Sequence, residues 1–134
     1  LVGGLTIAEV GDRLEGDLLG LDPKGAWRTA AAEATGACEP EGAMERTVHI
    51  SAGPAPAKEY LRERVADLTI HAWDLARALG VDEQLDAELV AVSLDLYREK
   101  GDLWRQWGLL GPAVAVPPGA GAQEVFVAET GRRP

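Results

Sequence analysis

A single cysteine, Cys38, occurs in the 134 residues of this chain, so no disulfide can close within it. That scarcity agrees with a reducing, cytoplasmic compartment. Basic charge is also in short supply: 13 Lys and Arg stand against 22 Asp and Glu, giving a formal net charge of -9. The basic residues are scattered and usually sit beside Asp or Glu, so a phosphate backbone or an anionic membrane surface would be repelled. Nucleic acid and membrane are therefore not expected as partners. Apolar runs are short and interrupted, which excludes a transmembrane span, and no basic segment followed by an apolar one marks a signal peptide. No internal repeat or low-complexity tract appears.

What is present suits one core. Hydrophobic residues make up 46% of the chain, enough for a single domain over residues 1–134. Leu1 is not a natural start and Met44 lies far into the chain, so an N-terminal piece is expected to be missing. Ile7, Val10, Leu14 and Leu18 recur at helical spacing, which reads as the tail of a helix begun upstream. Asp22-Pro23 supplies an N-cap and first position for a second helix, whose inner face would carry Trp27, Ala30, Ala34 and Cys38. Gly36, Pro40 and Gly42 end it. Glu45 to Ser51 alternates in the manner of a strand, yet is too short to found a sheet, and Gly53, Pro54 and Pro56 then break the chain.

The central helix should start near Pro56 and stop at Gly80, with Leu61, Val65, Leu68, Ala72, Leu75 and Leu79 forming an apolar stripe toward a core. Asp86 can cap the next helix, in which Leu85, Leu89, Val92 and Leu96 recur, running to about Lys100. Leu103, Trp104 and Trp107 make a short apolar turn. Gly111-Pro112 and Pro117-Pro118 bracket an extended piece, and Ala122 to Thr130 can form a last short helix closed by Gly131. The reading is all-α with one short β-like segment and an extended C-terminal tail.

Beside the central stripe, Asp67 and His71 stand four residues apart, with Asp74 and Tyr60 on the same flank. On a helix, side chains at this spacing touch or share a ligand. A carboxylate and an imidazole bordering the buried side form a two-point grip for a divalent metal, although two protein ligands are too few to hold one. The plainer reading is a charge pair worth about 0.2–0.5 kcal/mol. Asp74 lies close enough to orient His71. Trp73 points away from the Asp67 flank and reads as a packing residue whose indole could line a pocket mouth. Tyr60 could offer a hydrogen bond. Among the other candidates, His49 on its short strand reads as solvated, and Cys38 as a small core residue without a basic neighbour to activate it.

The segment DLTIHAWDLARALG, preceded by ERTVHISAGPAPAKEYLRERV and followed by LDAELVAVSLDLYR and LLGPAVAVPPGAGAQEVFVAETGRRP, resembles the DinB/YfiT-like superfamily of small metal-binding proteins. Within it, the chain is similar to the mycothiol-dependent maleylpyruvate isomerase N-terminal-domain group. The most specific element is the carboxylate-x-x-x-His-x-Trp-Asp-Leu-Ala-Arg run from Asp67 to Arg77, and the opening Leu-Val-Gly-Gly looks like the family segment that follows a helical His. The resemblance implies a four-helix bundle, here without its first helix, in which two His and one carboxylate hold a divalent ion. Asp67, where many relatives have Glu, and His71 carry over; the other His would precede Leu1.

Carboxylate and imidazole suit Zn(II), Ni(II), Fe(II) or Mn(II), with zinc the first expectation. By the same resemblance the thiol cofactor would be mycothiol and the partner a small-molecule substrate, in an isomerase or transferase reaction. The competing expectation is a bundle without chemistry, a ligand-binding or dimerisation module whose apolar groove is covered by another helix or, as a homodimer, by a second copy.

Overall fold

The computed structural model describes residues 5–50 and 53–134. The fold is mostly helical, with one small antiparallel sheet, and falls into two compact units, Leu1–Tyr60 and Leu61–Pro134. Among the described residues, no helix is long and apolar enough to cross a membrane. The opening Leu-Val-Gly-Gly and Ser51 lie outside the described residues.

In the N-terminal unit, α1 (Ile7–Val10) begins at Thr6, whose hydroxyl accepts from the Glu9 amide at 3.2 Å while the Glu9 carboxylate accepts from the Thr6 amide at 2.8 Å. This reciprocal cap starts a helix. The expected continuation of an upstream helix through this segment is thus corrected: the Thr6 backbone is extended and the helix begins after it. Helix α2 (Pro23–Gly36) is capped by Asp22 as the sequence indicates, the Asp22 carboxylate accepting from the Gly25 amide at 3.0 Å. Its expected inner face is not one, however. No residue of α2 is buried, and Trp27 is 66% exposed. Alanines at these positions offer too little apolar area to hold a face inward.

The strand read at Glu45 to Ser51 is present as β1 (Thr47–Ile50), and it does found a sheet. It pairs with β2 (Gly53–Pro56) in antiparallel register, Val48 opposite Ala55 and Ile50 opposite Gly53. Prolines at Pro54 and Pro56 are tolerated because a two-stranded sheet has only edges, where a missing N–H costs no ladder bond. Val48, Ala43 and Ala57 are the buried apolar residues among those described in this unit.

The C-terminal unit is built on α3 (Ala57–Leu79), α4 (Ala87–Gln106) and α5 (Ala122–Glu129), the first of which starts in the N-terminal unit and runs on through this one. Helix α3 ends at Gly80, whose φ of 66° is the left-handed conformation that glycine adopts freely. Asp86 caps α4 by accepting from the Glu88 and Leu89 amides. The core joins Ala66, Ile70 and Trp73 of α3 with Val90, Leu94, Leu96 and Tyr97 of α4 and Phe126 and Val127 of α5. Tyr97 meets both Trp104 and Phe126 edge to face, at centroid distances of 5.3 and 5.7 Å.

The inward faces of α3 and α4 are turned from those read in the sequence. In α3, Leu68, Leu75 and Leu79 are 59%, 60% and 65% exposed, while Ala66, Thr69, Ile70 and Trp73 are buried. In α4, Leu89 and Val92 are exposed, whereas Val90, Ser93, Leu94 and Tyr97 point inward with Leu96. Each buried set lies about one position on from the expected stripe, a rotation of about 100°. Small residues on the inner faces leave room for the aromatic rings of Trp73, Tyr97 and Phe126, and these large rings fill the core in place of the leucines.

Helix α4 also outruns its expected end near Lys100 by continuing through Gly101 to Gln106. Gly101 is buried, and a Cβ there would stand 3.1 Å from the Arg105 guanidinium. That guanidinium reaches across to Glu129, donating to its carboxylate and its carbonyl, each at 2.7 Å. The segment after α4 is extended as expected, its Val114 amide donating to Ala128 of α5 at 3.0 Å.

Candidate functional site

Asp67, His71 and Asp74 emerge on one flank of the α3 core face, carried there by the i, i+4 and i, i+7 spacing of one helix. The helix brings together all three as the sequence indicates. His71 Nδ1 lies 3.0 Å from Asp74 Oδ2, and His71 Nε2 lies 3.5 Å from Asp67 Oδ1. The two distances mean different things. The first is a hydrogen bond; the second is longer than an N–H···O bond ordinarily runs. Asp67 keeps its other oxygen on Arg64, at 3.3 Å.

Asp74 is held in turn by Arg132. The guanidinium donates from Nε to Oδ1 at 2.6 Å and from Nη2 to Oδ2 at 2.8 Å, a two-point grip on the carboxylate. These hydrogen bonds hold the Asp74 carboxyl below the ordinary carboxylate range, with His71 adding to the effect and partial burial opposing it. The same pair pushes Arg132 up. Arg132 lies in the tail after α5, 58 residues from Asp74, and its Nη1 also donates to the Thr130 carbonyl. A second tie runs beside it, from Arg77 Nη1 to the Arg133 carbonyl at 3.0 Å.

A cleft of about 320 Å³ opens next to Asp67, lined by Glu63, Arg64, Tyr97, Trp104 and Leu110 among others. One wall is aromatic and aliphatic, and the rim carries both signs of charge. Burial pushes the Tyr97 phenol up, with the nearby Asp67 charge adding to it and Arg132 opposing. Tyr97 and Trp104 were not singled out as site residues from the sequence, although their i, i+7 spacing places them on one face of α4 and was available as a signal. Arg132 had none, since nothing local in the tail ties it to α3.

The remaining sequence candidates fall elsewhere. Trp73 is buried in the core, with the Arg77 guanidinium 4.8 Å from its ring centroid. It packs, as the wheel suggested, and is absent from the cleft lining. Tyr60 lies in the first turns of α3, within the N-terminal unit. His49 sits on β1 in that unit, and the Cys38 thiol donates to the Ala34 carbonyl one helical turn back. Cys38 is half-buried, not the core residue that the sequence suggests.

Two donors about 2.1 Å from one ion at the tetrahedral angle lie about 3.4 Å apart. The 3.5 Å between Asp67 Oδ1 and His71 Nε2 matches that spacing. Asp74 on Nδ1 is the partner that a metal-bound imidazole normally keeps on its other nitrogen. Among the described residues, no group of three or more His, Cys, Asp or Glu is disposed to hold an ion. The donor pair therefore has the spacing of two ligands on one ion, without a third such donor beside it among the described residues.

No family model matches the chain. No solved structure matches it either. Among curated proteins, it is similar to two from Mycobacterium tuberculosis, the uncharacterized protein MT0763 of strain CDC 1551 and the uncharacterized protein Rv0738 of strain H37Rv. Each is 36% identical over 69 residues, a stretch that takes in 52% of this chain and 38% of the relative. The match spans well under half the length of either relative.

Proposed function

We propose that Asp67 and His71 are two ligands of a divalent-metal site, zinc in the first place, in a four-helix bundle of the DinB/YfiT-like kind. The observation that carries this reading is the pair of contacts at His71: Asp74 on Nδ1, and an Nε2 aimed at Asp67 from 3.5 Å. A carboxylate that accepts on one side fixes the ring, so the other nitrogen offers its lone pair outward. Asp67 would bind through Oδ1 alone, because Arg64 occupies its other oxygen. The remaining ligand implied by the resemblance is a second His, with water or a thiol in the open positions.

When bound, such an ion would act as a Lewis acid or would activate a coordinated thiol or water. The residues of this chain would do the rest. Trp104, Tyr97 and Leu110 give a small molecule an apolar wall, and Arg64 supplies positive charge at the rim. This arrangement suits a small substrate and a low-molecular-weight thiol, and the resemblance names mycothiol and an isomerase or transferase reaction in the cytoplasm. The test is the metal content per chain of the full-length protein, purified with and without His71→Ala. Stoichiometric metal lost in the variant is expected; equal, near-zero content in both would end the proposal.

A second reading is favoured by the exposed leucines Leu68, Leu75 and Leu79 along one face of α3, of which Leu68 lines a shallow apolar hollow with Leu89 of α4. Under it the bundle serves as a ligand-binding or dimerisation module with a degenerate metal site, and the stripe is covered by a second copy. Exposed apolar residues repeated along one helix face are a common mark of an association surface.

A further inference from the structure

We propose that Arg132, in the tail beyond α5, is a positioning residue for His71. It acts through Asp74, so that the tail sets which imidazole nitrogen carries the proton and leaves the one facing Asp67 bare. The inference rests on the reading of Asp67 and His71 as metal ligands, but its geometry stands apart from any ion.

Arg132 has only donors to offer, and both Asp74 oxygens accept from it, at 2.6 and 2.8 Å. Asp74 Oδ2, already an acceptor, is the atom that meets His71 Nδ1 at 3.0 Å. In a neutral ring, Nδ1 must then carry the proton, which leaves Nε2 unprotonated and directed toward Asp67. Remove Arg132 and the carboxylate loses the two bonds that fix its plane. Asp74 can then turn to solvent, and the ring is free to take the tautomer with its proton on Nε2, which cannot bind a metal through that atom. The tail therefore does more than close the fold over α3. It selects the state of a side chain near the middle of that helix.

Arg77 provides an internal control, because it ties the same tail by donating to the Arg133 carbonyl and makes no contact with Asp74 in these bonds. A general loosening of the tail would follow from losing either arginine. A specific effect on His71 would follow from losing Arg132 alone.

The experiment is nitrogen-15 NMR of the two imidazoles, recorded at a pH where both are neutral, with His49 as the reference ring. It is run on the full chain and on Arg132→Gln, Arg132→Lys, Asp74→Asn and Arg77→Gln, each checked for folding by the dispersion of its amide spectrum. In the parent, His71 is expected almost wholly protonated on Nδ1. Arg132→Gln and Asp74→Asn should give mixed tautomers, Arg132→Lys should restore most of the parent pattern, and Arg77→Gln should match the parent.

In parallel, zinc affinity is measured by competition with a chromogenic chelator. Loss of an outer partner to a metal-bound His weakens affinity about 10–100-fold, and Arg132→Gln should fall at the lower end of that range. An unchanged tautomer in Arg132→Gln, or an equal change in Arg77→Gln, overturns the role of Arg132. A parent that takes up no zinc overturns the metal reading instead, and the tautomer result still decides the role of the tail.

Discussion

Asp74 accepts from a guanidinium on one side and from an imidazole on the other, and the order of those contacts gives the flank of α3 its direction. Asp67 faces a different group with each oxygen, the Arg64 guanidinium at 3.3 Å and His71 Nε2 at 3.5 Å. All of these side chains remain partly open to solvent, and each exposed pair contributes at most about 1 kcal/mol to stability. Their value lies in orientation.

At the same scale, the Glu9 carboxyl is held below its ordinary range by hydrogen bonds from the Thr6 amide and hydroxyl. A lowered folded value means the cap is intact above the ordinary Glu pKa of about 4.3 and is lost as pH falls through the folded value. The Thr6 amide shift should therefore titrate with a midpoint below that of an unstructured Glu. A midpoint at or above it would show that the cap does not form. The juxtaposition of Asp67, His71 and Asp74 was legible because they share one helix, where spacing alone brings side chains together. Arg132 was not, because its partner lies 58 residues away and only tertiary packing joins them.

Helix boundaries were legible wherever a residue type has a single backbone use. Asp22 before Pro23, Asp86 before α4 and Gly80 after α3 each mark an end that the structure keeps. Gly80 and Gly36 make this testable. Neither would meet another atom within 4 Å if given a Cβ, but Gly80 has a φ of 66° and Gly36 is helical. Gly80→Ala should cost about 1–2 kcal/mol through backbone strain alone. Gly36→Ala should stabilise by up to about 1 kcal/mol, since alanine is the better helix former. Chemical denaturation measures both, and a shift of the same sign in the two variants would refute the distinction.

What the pattern of residues did not disclose was which face turns inward. Leucines at regular spacing defined an apolar stripe on α3 and α4, yet Trp73, Tyr97 and Phe126 occupy the core with small neighbours such as Ala66 and Ser93. Helical periodicity identifies apolar sides; where two compete, the packing of large rings decides. The hairpin was half legible, since β1 alternates while the Pro-rich β2 carries no strand signal of its own.

At the scale of the whole molecule, the outward leucines bear on association. If the second reading holds, sedimentation velocity should show concentration-dependent self-association. Leu68→Glu combined with Leu75→Glu should return the chain to a monomer without unfolding it, because neither side chain is buried. A parent that stays monomeric throughout would discard the idea that a second copy covers the stripe. With a net charge of -9, any such association should also strengthen as salt screens the repulsion between copies.

The interleaving of core and site along α3 has a consequence for how this chain can change over generations. Ala66, Ile70 and Trp73 alternate with Asp67, His71 and Asp74, so each polar position is flanked by one that packs. A single-codon insertion or deletion between Asp67 and His71 would swing everything after it by about 100°. It would remove Trp73 from the core and change the spacing of the imidazole from the Asp67 carboxylate in the same event. Loops such as the one between Gly80 and Asp86 can absorb changes of length, but this helix can diversify only by replacement at constant register.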